Sequence, residues 1–193
     1  MEEKILNEEE SLELISQMIL KTKKRFEGGR VKPFLIFGYS TLILSIVVYY
    51  LITKTGNYYY HALWFLIPII GYIGIALSKK SAELVSYNQI DSIINSVWFV
   101  CGMASFLISI SAFFIRIPIL SIVVLLMGIG TAITGLIIKS KLITISGFIG
   151  MLSCAALFFI KGNEQILAFG LVFLVMMIIP GHFLTQKNRV KNV

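Results

Sequence analysis

The chain has 193 residues, of which 57% are hydrophobic and 14% charged, and its formal net charge is +7. An ordinary soluble domain carries about 25% charged residues, so this composition excludes that class. The basic balance would suit nucleic acid, but the Lys and Arg residues flank apolar stretches, and the anionic inner leaflet of a membrane accounts for them better.

Residues 1–32 read as a cytoplasmic amphipathic helix followed by a basic juxtamembrane linker. The helix is expected from about Asn7 to Glu27. Asn7 caps it and Glu10 closes a capping box. Glu8, Glu9 and Glu10 lie at the positive end of the helix dipole, and Lys21, Lys23, Lys24 and Arg25 at the negative end. Leu12, Ile15, Ile19, Thr22 and Phe26 recur at helical spacing, and Leu14 and Met18 widen the stripe. Gly28 and Gly29 end the run, which is too interrupted to span a bilayer. Leu12, Ile15, Met18 and Ile19 are the candidate partner-docking face.

Residues 33–184 read as an all-α polytopic domain of six transmembrane helices, laid out as three antiparallel hairpins. The first span runs from about Phe34 to Ile52, after Pro33 at a permitted helix start. Gly56-Asn57 marks a turn, and Tyr49, Tyr50, Tyr58, Tyr59, Tyr60 and Trp64 around it suit an outer aromatic belt. The second span, about His61 to Ser78, is expected to kink at Pro68. The third runs from near Ile90 to near Phe114, and Arg116-Ile117-Pro118 makes a tight turn. The fourth covers about Ile119 to Ile138, the fifth Leu142 to Ile160 and the sixth Ile166 to Phe183, which Pro180-Gly181-His182 closes. Residues 185–193 form a basic cytoplasmic tail. With alternate breaks assigned to opposite sides, only Lys54, Arg116 and Lys161 fall outside the basic-rich set, which places both termini in the cytoplasm.

Polar groups inside the spans are few. Asp91 and Asn95 share a helix face at i and i+4 near the cytoplasmic end of the third span, and form the candidate intramembrane polar site. If the helix enters the membrane after Asp91, the carboxylate lies among headgroups; if it enters near Leu84, Asp91 needs a partner inside the bundle. Small residues recur every four positions in later spans: Gly128 with Ala132, and Ser146 with Gly150 and Cys154, while Thr131 and Gly135 continue on an adjoining face. Such rows let helix backbones approach closely, and these are the candidate helix-packing residues.

Signatures of enzyme chemistry do not occur. There is no H-E-x-x-H, G-x-S-x-G or P-loop, and no Rossmann glycine pattern. His61 and His182 fall at opposite membrane faces and cannot share a metal, and Cys101 and Cys154 form no C-x-x-C pair. No cofactor and no metal is expected.

The run Asn7-Glu8-Glu9-Glu10-Ser11-Leu12-Glu13-Leu14-Ile15, then Pro33-Phe34-Leu35-Ile36-Phe37-Gly38-Tyr39, Ala62-Leu63-Trp64-Phe65 and Pro180-Gly181-His182 resemble an uncharacterised family of small multi-pass bacterial membrane proteins. The resemblance implies a bacterial inner-membrane location and supplies no catalytic residues. The functional expectation is a non-enzymatic interaction or regulatory protein acting through its N-terminal helix, with a small transporter or a membrane subunit of one as the alternative. Its expected partners are the lipid bilayer and a cytoplasmic protein or a second copy, and not nucleic acid.

Overall fold

The computed structural model describes residues 7–25, 31–79, 89–112 and 114–191, and its regular structure there is helical. The helices are α1 (Glu8–Arg25), α2 (Lys32–Thr55), α3 (Leu66–Lys79), α4 (Gln89–Ser111), α5 (Ile119–Ile137), α6 (Lys141–Phe159), α7 (Glu164–Phe173) and α8 (Ile179–Lys191). A 3-10 segment, Tyr58–Phe65, leads into α3, and a π-helical turn, Leu174–Ile178, joins α7 to α8. Five helices are long and apolar enough to cross a membrane: α2, α4, α5, α6 and the continuous Glu164–Gln186.

Local chemistry explains the boundaries. Pro33 sits in the first turn of α2, where its missing N–H costs nothing. Gly56 ends that helix at φ +67°, its N–H donating to the Ile52 carbonyl, a left-handed cap that a side chain would strain. Pro68 does not kink a long helix as expected from sequence. It falls in the first turn of α3, where a missing donor is tolerated, and the residues before it take the tighter 3-10 form. Asn57 caps that segment by accepting from the Tyr59 N–H at 2.9 Å.

Pro180 does not close the last span either, because helix continues through it to Lys191. Proline at this position removes the hydrogen bond to Met176 and crowds that carbonyl. Widening the preceding turn to π geometry accommodates both effects.

Packing does not follow chain order alone. The most extensive pairing joins α5 to α6, while α7 packs chiefly on α2. α3 packs against α2, and α4 against α5. Val48, Val124, Ile143, Leu157, Met176 and Met177 fill the centre. Beside them Ser45, Ser121, Thr131 and Thr134 are wholly buried. Outside, Ile43, Ile73, Leu77, Phe99, Leu107 and Leu152 are exposed. A surface of large apolar side chains around a core rich in small ones suits hydrocarbon rather than water.

Candidate functional site

The N-terminal helix begins as its residue pattern predicts: the Asn7 N–H donates to Glu10 Oε2 at 3.1 Å, while the Glu8 N–H donates to Asn7 Oδ1 at 2.7 Å. α1 contacts α4. Thr22 is buried, Met18 and Ile19 are half-buried, and Leu12, Leu14, Ile15 and Leu20 are exposed. The candidate docking stripe is therefore divided: its C-terminal half is partly covered, and its N-terminal half stands open. Lys23 fixes this geometry by donating from Nζ to the Lys139 carbonyl oxygen at 3.1 Å, in the turn between α5 and α6.

Asp91 and Asn95 differ in burial. Asp91 is only 2% exposed, on the inward stripe with Ile94, Trp98, Cys101 and Ser105, whereas Asn95 is exposed on its outer edge. The alternative boundary near Leu84 lies outside the described residues. Trp98 holds this part of α4, donating from Nε1 to Thr134 Oγ1 at 3.1 Å and meeting Phe34 edge to face.

The small-residue rows all pack, on two faces of α6. Gly128 and Ala132 of α5 face Gly147 and Met151 of α6, so closely that a Cβ on Gly147 would collide with the Ala132 backbone. Gly135 approaches the Thr144 backbone in the same way. Ser146, Gly150 and Cys154 are buried on α6, and a Cβ on Gly150 would strike the Met176 sulfur of the π turn.

Between α4 and α5 an open groove of about 770 Å³ is lined by Gln89, Ser92, Ser96, Val97, Val100 and Ile129, among others. At one end of the bundle His61 accepts from Trp64 Nε1 at 3.2 Å and stacks on Tyr58. His182, placed by sequence at a helix end, instead forms a 2.6 Å hydrogen bond with the hydroxyl of Tyr39 on α2. Arg116 is exposed. Cys101 and Cys154 are free thiols, both buried, and no group of three metal-ligating side chains occurs among the described residues.

Sequence reasoning missed Gly147, Tyr39 and the turn at Lys139. Gly147 was visible in principle, since it lies three residues from Gly150 on a second face of α6. The Tyr39–His182 and Lys23–Lys139 contacts join distant parts of the chain and leave no local signal.

These features define an all-helical chain with membrane-length apolar helices, compatible with a multi-pass membrane protein. No protein-family model matches the chain, and neither a curated protein nor a solved structure matches it.

Proposed function

We propose that this chain is a six-span protein of a bacterial cytoplasmic membrane, with both termini inside, and that it acts as a non-enzymatic interaction or regulatory protein through α1. Five spans are α2, α4, α5, α6 and Glu164–Gln186. The remaining span is the 3-10 segment with α3, whose rises of roughly 16 Å and 21 Å together suffice for the hydrocarbon layer. In this reading successive short turns set consecutive spans antiparallel, and the basic residues of α1, the Lys139–Lys141 turn and α8 occupy the inner side.

The single observation behind the regulatory role is the placement of α1. Its C-terminal half is fastened to the bundle by Thr22 and Lys23, and Leu12 and Ile15 remain exposed, Leu12 by 68%. A helix held in register with an open apolar stripe is a docking element for a cytoplasmic protein or a second copy. The transporter alternative calls for a polar cavity at the membrane midplane. The α4–α5 groove is open rather than enclosed and is lined largely by Ile, Val and Leu, which supports the interaction reading. Deleting residues 1–27 and recovering the tagged protein from crosslinked cells tests it. Partner adducts are expected to disappear while membrane insertion persists, and adducts that survive the deletion overturn the role of α1.

A further inference from the structure

α1 has two unlike faces. One carries buried Thr22 with half-buried Met18 and Ile19, on a helix that contacts α4 and whose Lys23 reaches the Lys139 carbonyl. The other is exposed, and its charges are ordered. Glu10 and Glu13 stand seven and four residues before Gln17, and Lys21 and Lys24 stand four and seven residues after it; all five are exposed. At 3.6 residues per turn they share a strip about 80° wide, and Thr22 lies roughly 140° round from its centre. Leu14 and Leu20, three residues either side of Gln17 and also exposed, flank the strip on opposite sides. Gln17 Nε2 donates to Glu13 Oε1 at 3.2 Å, in the middle of the strip. The strip therefore inverts its charge about its own midpoint.

The helix dipole accounts for acid before base at the two ends, but its effect fades within the first and last turns. Glu13 and Lys21 lie further in than those turns. Charges on the bundle side do not enter the pattern. Asp91 of α4 is only 2% exposed and cannot face a partner, and Lys139 and Lys141 belong to the turn that Lys23 reaches.

We propose that this strip pairs antiparallel with the α1 strip of a second copy, about a two-fold axis beside Gln17. Turned end for end, the second copy sets its Lys24 against Glu10 and its Lys21 against Glu13, and the two-fold repeats both contacts. Gln17 meets Gln17, and Leu14 comes level with Leu20 of the other copy. The charge order selects this occupant. An anionic lipid surface would repel Glu10 and Glu13, whereas the reversed helix supplies the opposite charge at each of the four positions. Exposed ion pairs are individually weak and screened by salt, so the pairing draws on confinement of both copies to one membrane, which raises their effective concentration.

The inference rests on the docking role proposed for α1 and fixes one partner as a second copy, through a face that leaves Leu12 and Ile15 open. The test is oxidative crosslinking of the full chain in native membranes at low ionic strength. Gln17→Cys is expected to give a disulfide-linked dimer; Cys101 and Cys154 are buried and stay in place. Glu10→Cys should give little dimer, because the pairing holds its two copies roughly 21 Å apart along the helices. Adding Glu13→Lys to Gln17→Cys sets lysine against lysine at two contacts and should lower the dimer yield roughly tenfold. Adding Lys21→Glu as well restores opposite charges and should restore the yield, which a merely misfolded variant would not do. Absence of the Gln17→Cys dimer overturns the proposal. So does equal crosslinking from Glu10→Cys, or failure of Lys21→Glu to rescue Glu13→Lys. Adducts to a different protein that persist while the self-dimer is absent overturn this pairing and leave the docking role of Leu12 and Ile15 standing.

Discussion

Lys23 Nζ donates to the Lys139 carbonyl oxygen at 3.1 Å, joining residues 116 positions apart and seating α1 on the turn between α5 and α6. That carbonyl belongs to a residue at φ +52°, which is unusual for a side chain other than glycine. The turn is a Schellman cap: the Ser140 N–H donates to Gly135 and the Lys139 N–H to Leu136. The left-handed position normally taken by glycine therefore carries a lysine. Its backbone anchors α1, and the residue itself is exposed.

Lys139→Gly should consequently stabilise the bundle by about 1 kcal/mol, since the left-handed penalty is relieved and the Lys23 acceptor is a backbone atom that stays. A thermal unfolding scan in detergent would register a higher midpoint. A lower midpoint would mean that the Lys139 side chain has a packing role of its own.

The α5–α6 contact gives a second test. An added methyl at Gly147 meets the Ala132 backbone, which cannot rotate away, so Gly147→Ala must separate the helices and cost about 1–3 kcal/mol or more. Gly102 on α4 has nothing within 4 Å of the same added atom. Gly102→Ala should leave the midpoint unchanged or raise it slightly. Detergent unfolding of the two variants side by side distinguishes close helix approach from a general intolerance of alanine.

Residue pattern located the helices well because apolar run length and charge spacing are local quantities. It placed α1 and its Asn7–Glu10 cap, the starts and ends of α5 and α6, and the small-residue rows that later proved buried. It was less informative about Pro68 and Pro180, since proline's effect depends on where the helix begins around it. Pro68 lies in a first turn and Pro180 behind a π turn, and neither could be inferred from spacing. The i, i+4 rule put Asp91 and Asn95 on one face, but it says nothing of how far the neighbours of α4 cover that face, and Asp91 is buried while Asn95 is exposed. Contacts across the bundle, such as Tyr39 with His182, depend on which helices become neighbours.

Tyr39 and His182 fasten the start of α2 to α8, with the two rings also meeting edge to face. Tyr39→Phe and His182→Asn should each cost about 1 kcal/mol, and the double variant about as much as either one, because one hydrogen bond is lost once. Additive losses in a double-mutant cycle of unfolding midpoints would show that the two side chains act independently.

The parity of the crossings can be read from the two ends of the chain. In a background with Cys101 and Cys154 replaced by alanine, single cysteines at Glu13 on α1, Lys161 between α6 and α7, and Gln186 on α8 report the side each occupies; all three positions are exposed. On the proposed six-span reading Glu13 and Gln186 would lie on the same side, and the basic-residue bias would make that side the cytoplasm. A membrane-impermeant maleimide applied to intact cells should therefore label only the Lys161 position, and the other two only after permeabilisation. If the 3-10 segment and α3 together failed to cross, the count would be odd and Glu13 and Gln186 would label differently. The proposed second span is the one whose crossing does not rest on one long helix, so this comparison bears on it directly. The Lys161 position then identifies which face of the membrane the aromatic end of the bundle occupies.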